Sequence, residues 1–210
     1  MRKIWLVLWL VILFGLFQSC RKRTDEGWTW ASPNWTSDGK IVFLEHHFVQ
    51  KWTQTISGWS QSGGSEEIVV YEIDSDGLNL KRIEEIASNE FEHGYELIPL
   101  STSSAGDWIV MSIEDWKRGD HYPVMYVLKR DGINLKEIGS GLYPDFSPDA
   151  EKIVYQKKDQ GIWIMNRDGS GSHQIISDGQ HPAWSPEGGR IAYVVGYPNV
   201  DTLLVVDTIG

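Results

Sequence analysis

Cysteine is almost absent: Cys20 is the single one in 210 residues. A domain without disulfides must be held by its own core, and a chain of this length can bury one. Positive charge is scarce too, with 19 Lys and Arg against 29 Asp and Glu and a formal net charge of −10. That balance excludes a nucleic-acid partner, which needs a basic face, and it favours solubility in an exported compartment. Neither Gly-X-Ser-X-Gly nor a Gly-rich phosphate loop occurs, so there is no hydrolase elbow and no nucleotide cradle. Gly169-Ser170-Gly171 continues a turn and lacks the strand–elbow–helix setting of a nucleophile. Beyond residue 20 no segment has convincing helical periodicity. The chain is therefore expected not to be an enzyme, and no metal or cofactor is expected.

The N-terminus carries a targeting segment. Arg2 and Lys3 precede an apolar run from Ile4 to Phe17, broken only by Gly15. The run is shorter than the ~20 residues a membrane-spanning helix needs and fits a secretory apolar region. Leu16-Phe17-Gln18-Ser19-Cys20 is similar to the bacterial lipobox, which makes Cys20 the expected lipidation site. Arg21-Lys22-Arg23 leaves both flanks positive, the pattern of an uncleaved anchor helix. Residues 1–20 are thus a lipoprotein signal peptide or a membrane anchor, and both place the chain on a membrane. Arg21 to Asp25 is too polar for a good strand, so residues 21–27 are expected to be a tether.

What is abundant is repetition. Pro144-Asp145-Phe146-Ser147-Pro148-Asp149 leads to Ile153-Val154-Tyr155, and Pro182-Ala183-Trp184-Ser185-Pro186-Glu187 leads to Ile191-Ala192-Tyr193. Pro33-Asn34-Trp35-Thr36-Ser37-Asp38-Gly39 leads in the same way to Ile41-Val42-Phe43. Each phrase reads as a short strand, a tight turn and a β-branched or aromatic strand. A second half follows, in which Val69 to Ile73, Val124 to Leu128, Ile162 to Met165 and Leu204 to Val206 run into Asp-containing turns. Asp-Gly between apolar strands marks a hairpin. Three units then continue into a last strand, at Leu80 to Ile83, Leu135 to Ile138 and His173 to Ile176. Four strands per unit, recurring at close to 40–45 residues, is propeller-blade spacing.

The Ser-Pro-Asp/Glu turn, the Ile-X-Tyr strand and Ile162-Trp163-Ile164-Met165-Asn166-Arg167-Asp168-Gly169-Ser170-Gly171 resemble the TolB-like β-propeller repeat, a WD-like family of exported bacterial proteins. The match is strongest from Pro144 to Tyr193 and weakest around residues 99–138, where the second unit keeps only Gly106-Asp107 of the turn phrase. The resemblance implies an all-β domain over residues 28–210, with about four four-stranded blades and the last incomplete. It also implies a docking platform for other proteins, although related propellers gate prolyl-oligopeptidase-type enzymes.

Among the chemistry-bearing residues, Glu45-His46-His47 is the first to weigh. Neighbours on a strand point to opposite faces, so the two histidines cannot share one ion without a bend. The Asp-rich turns at Asp74 to Gly77 and at Asp168-Gly169 lack the remaining ligands of a calcium loop. Trp35, Trp108, Trp163 and Trp184 occupy repeat-equivalent strand positions and are expected in the blade core. Trp52 and Trp59 are different, because they lie in a long polar insertion from Glu45 to Glu67 inside the first blade. Long loops with aromatic anchors suit a partner-binding surface, the alternative being an extended hairpin. Trp116, in Asp115 to His121, is the third partner-binding candidate. The expected function is an envelope-tethered, non-catalytic scaffold for a protein partner. A carbohydrate or small-ligand module and a truncated propeller of an exported peptidase are the alternatives. An exposed C-terminal edge near Leu203 to Val206 is expected to pair with another strand.

Overall fold

The computed structural model describes residues 22–55, 58–90, 95–115, 122–196 and 202–208, and it contains strands but no helix among them. The first sheet is β1 (Lys22–Trp35), β2 (Lys40–Thr55), β3 (Gly58–Asp74) and β4 (Lys81–Glu90). The second is β5 (Tyr95–Thr102), β6 (Trp108–Asp115), β7 (Tyr122–Lys129) and β8 (Lys136–Ser140). The third is β9 (Leu142–Phe146), β10 (Lys152–Lys157), β11 (Gly161–Asn166) and β12 (His173–Ile176). The fourth has three strands, β13 (Gln180–Trp184), β14 (Arg190–Val195) and β15 (Thr202–Asp207). Every pairing is antiparallel between consecutive strands, so each sheet is a meander. The expected apolar run at residues 4–17 and Cys20 lie outside the described residues.

The sheets succeed one another face to face, and their first strands touch in turn: β1 meets β5, β5 meets β9, and β9 meets β13. That arrangement makes each sheet a blade with its first strand innermost. Three clusters fill the seams, because alternate residues of each strand face opposite neighbours. Val42, Leu44, Ile68 and Val70 of the first blade meet Ile109, Met111 and Ile113 of the second. Val110 and Val127 of the second meet Phe146, Ile153 and Tyr155 of the third. Val154, Ile162 and Ile164 of the third meet Trp184, Ile191 and Tyr193 of the fourth.

The turn of each repeat is held by one hydroxyl. Ser147 Oγ accepts the Lys152 amide at 2.9 Å, Ser185 Oγ that of Arg190 at 3.0 Å, and Thr36 Oγ1 that of Lys40 at 3.1 Å. In the degenerate second unit Ser103 Oγ accepts the Trp108 amide at 3.1 Å, so the contact persists without the Ser-Pro-Asp phrase. The Asp-rich turns are likewise explained locally: Asp76 Oδ1 accepts the Leu78 amide and Asp168 Oδ1 that of Ser170, both at 2.9 Å.

Two expectations are corrected, and the form of one insertion is shown. The tether expected over residues 21–27 is a strand from Lys22 onward, with Lys22 to Asp25 paired to Gln50–Thr53. The long β2 supplies a backbone edge there that polar residues can pair with. The insertion from Glu45 to Glu67 takes the second of its two expected forms, an extended hairpin, because β2 and β3 pair from Lys40–Asp74 out to Thr55–Gly58 with one register shift between Lys51 and Trp52. Its polar Ser, Thr and Gln residues suit a ribbon that stands clear of the core. Trp35 is not core: it is 62% exposed, whereas its equivalent Phe146 is 5% exposed. The blade face that carries Trp35 has no preceding blade on it among the described residues.

A half-buried carboxylate ties the inner strands. Asp145 on β9 accepts Ser101 Oγ of β5 at 2.6 Å and the Trp184 amide of β13 at 2.8 Å, linking three blades. Burial pushes its carboxyl above the ordinary aspartate range, against these hydrogen bonds, which pull it down. A raised folded-state value means the group's favourable contribution is complete below the unfolded value, near about 3.9, and is lost as pH rises through the folded value. Asp145→Asn keeps a hydrogen-bonding group at both contacts, since its Oδ1 can accept the Trp184 amide and its Nδ2 can donate to Ser101. The variant is expected to match or exceed the wild type in urea midpoint at pH 7, with the difference vanishing near about pH 3. A difference that grows on acidification would show that the carboxylate is the favoured form.

Candidate partner-binding face

The first blade is longer than the others because β1, β2 and β3 run on past the seam as an arm. Alternation places Val42, Leu44, His46 and Phe48 on the side that meets the second blade, and Gly27, Asp25 and Arg23 pair into that same side. Phe48 lies across Gly27, where a Cβ would stand 2.4 Å from the ring, so only glycine admits the aromatic there.

Trp52 and Trp59 fall on this side near the tip. Trp52 pairs with Arg23 across β1–β2, and Trp59 pairs with Gln54 across β2–β3. The Arg23 guanidinium lies 5.8 Å from the Trp52 ring and 5.7 Å from the Trp59 ring, and it pairs with Asp25. The structure therefore brings two of the three expected binding residues together around a cation. Trp59 is 44% exposed, while Trp52 is half-buried with its indole Nε1 buried and without an acceptor among the described residues. Trp116 lies outside the described residues.

The opposite side of the arm carries a second aromatic group. Trp28 stacks on His47, with centroids 5.0 Å apart and planes 8° from parallel. His47 Nε2 meets Glu26 Oε1 at 2.9 Å, whereas His46 Nε2 meets Glu66 Oε2 at 2.8 Å on the first side. The adjacent histidines thus face apart and each takes its own carboxylate. Sequence reasoning missed Arg23, Asp25 and Trp28 as surface residues. The signal was the alternation of Arg23 with Asp25 and of Trp28 with Trp30, which marks a two-faced strand rather than a tether. The arm offers aromatic rings flanked by a guanidinium and carboxylates, which suits stacking and hydrogen bonding to a partner surface.

No protein-family model matches the sequence, and no curated protein matches it. Solved structures match in shape. A putative TolB from Agrobacterium tumefaciens has a TM-score of 0.51 at 14% identity, over 90% of this chain and 86% of that one. The fold is a β-propeller, shared with TolB. The β-propeller domain of the Trilobed protease from Pyrococcus furiosus, described as having an open velcro topology, matches with a TM-score of 0.52 at 8% identity, over 86% of this chain. This propeller spans 54% of that chain's length. An oligogalacturonate lyase in complex with manganese has a TM-score of 0.50 at 12% identity, over 90% of this chain and 72% of that one. At such identities the likeness is one of fold.

Proposed function

We propose that this chain is a membrane-tethered, non-catalytic β-propeller of the bacterial envelope that holds a protein partner on the arm of its first blade. Cys20 is the lipid attachment point, and Trp59, Trp52 and Trp116 are the contact residues. The observation that carries the reading is Trp59, a large aromatic left exposed at the tip of an arm that extends past the core. Aromatic and arginine side chains concentrate binding energy at protein interfaces. Both histidines of the arm and Arg23 also have structural partners, with His46 on Glu66, His47 on Glu26 and Arg23 on Asp25. The TolB-like fold supports an envelope location and a docking role.

The test is affinity capture by the full tagged chain from envelope membranes. Trp59→Ala is expected to lower recovery of the captured envelope protein by about tenfold or more, with the urea midpoint unchanged. Undiminished capture would place the contact elsewhere, and a matching loss of midpoint would make Trp59 part of the core. The carbohydrate reading draws on the same ring surfaces and on the lyase among the similar folds. Binding of the full chain to a glycan array, lost on Trp59→Ala, would favour that reading over a protein partner.

A further inference from the structure

The third and fourth blades are built with two different faces. Their face toward the preceding blade carries aromatic rings, whereas the second blade meets the first with Ile109, Met111 and Ile113, and register makes the equivalents plain. Trp184, Ile191 and Tyr193 of the fourth blade stand where Phe146, Ile153 and Tyr155 stand in the third, since Trp184 pairs with Ile191 as Phe146 pairs with Ile153. The face toward the following blade is aliphatic. In the third blade it is Val154, Ile162 and Ile164, all buried under the aromatic face of the fourth. The internal seam between these blades is therefore an aromatic face seated on an aliphatic one.

The first and fourth blades each leave one such face uncovered among the described residues. By the same register the first blade presents Trp35, Ile41 and Phe43, with Phe43 stacked on Tyr71 at 5.9 Å. The fourth presents Ala192, Val205 and Leu203, which are the equivalents of Val154, Ile164 and Ile162. Leu203 is 71% and Val205 57% exposed. Exposed apolar faces of this kind mark interaction surfaces. One is an aromatic face without its aliphatic seat, and the other is an aliphatic seat without its aromatic face.

We propose that a second copy of this chain covers both. The Trp35 face of one protomer seats on the Val205 face of its partner, and the Trp35 face of the partner seats on the Val205 face of the first. This is a head-to-tail contact, which closes a ring where the rotation permits. Two copies of a four-blade arc make eight blades, the upper end of the range of about 4–8 for closed propellers. The occupant is a second copy because the two free faces repeat, residue for residue, the chemistry of the seam between the third and fourth blades. The contact lies away from the Trp59 tip, so it is independent of the partner-binding reading. It also differs from edge pairing along β15, which would use backbone groups and leave the Trp35 face bare.

The test is the mass of the full chain in detergent, measured by light scattering, for wild type, Trp35→Glu and Val205→Glu. Wild type is expected as two copies and each variant as one, with unfolding midpoints retained because both side chains are exposed. An equimolar mixture of the two variants is expected to regain a two-copy species, because one of its two seams combines an intact Trp35 face with an intact Val205 face. Three results would each overturn the proposal. These are a one-copy wild type, whose free faces would then await blades from another chain; loss from Val205→Glu alone, which means edge pairing; and no recovery in the mixture.

Discussion

Tyr155→Ala is expected to destabilise the chain by about 3–5 kcal/mol, the cost of emptying a well-packed aromatic site. Tyr155 is fully buried in the seam between the second and third blades, within the cluster that holds Val110, Met125 and Phe146. Its ring lies against Gly141, where a Cβ would stand 2.3 Å from ring carbon Cδ2, so the backbone has been brought up to the aromatic and cannot follow it inward. The cavity would consequently persist. The hydroxyl is a minor part of the effect: it bonds Ser172 Oγ at 2.6 Å, and Ser172 is exposed and can turn to water. Tyr155→Phe should cost only about 0.5–1.5 kcal/mol, the net worth of one hydrogen bond. Urea unfolding of the two variants separates the contributions. An alanine loss no larger than the phenylalanine loss would mean that the seam is not a packed core.

Arg130→Met is expected to cost about 3 kcal/mol, at the lower end of the range for breaking a buried ion pair from one side. Arg130 follows β7 and reaches back to the first blade. It grips Asp38 with Nη1–Oδ1 and Nη2–Oδ2 contacts of 2.9 Å each, and its Nε donates to Glu72. Glu72 is buried, and Lys40 at 3.0 Å would be its one remaining cation among the described residues. That remaining pair keeps the loss from being larger. Burial pushes the Glu72 carboxyl up, but Arg130 and Lys40 outweigh it and hold the group below the ordinary glutamate range. The Arg130 and Thr36 hydrogen bonds hold Asp38 well below the usual carboxylate range.

For carboxylates lowered in the folded state, the stabilisation is present above the unfolded values, near about 3.9 and 4.3, and is lost as pH falls through the folded ones. The wild-type advantage over Arg130→Met should therefore be full at pH 7 and shrink below about pH 4. Raised salt should diminish only the part owed to Asp38, which is exposed. A pH-independent difference would assign the effect to the arginine's stem rather than its charge.

Much of the architecture was legible because each repeat states its own grammar. Pro182 to Tyr193 and Pro144 to Tyr155 fold as the sequence order implies, with strand, hydroxyl-held turn and strand. The second unit was harder to read. Ser103 carries the turn hydrogen bond without the neighbouring proline that made the other turns conspicuous. Arg130 and Arg167 stand in the same phase of their repeats, yet Arg130 clasps carboxylates while Arg167 lies 4.4 Å over the Trp108 ring. Their different partners come from the blade before, which a repeat's own sequence does not contain. The candidate site was half legible: polar composition marked the stretch holding Trp52 and Trp59, but the strand pairing that brings Arg23 between them spans distant residues.

Sequence alone determined the all-β class, the repeat length and which residues of each strand share a side, because alternation and turn chemistry are local properties of the chain. Tertiary structure alone decided that Lys22 to Asp25 pair as a strand, that the arm is a ribbon, and that Trp35 is bare while Phe146 is covered. Burial depends on which blade stands opposite, and that neighbour lies elsewhere in the chain or outside it.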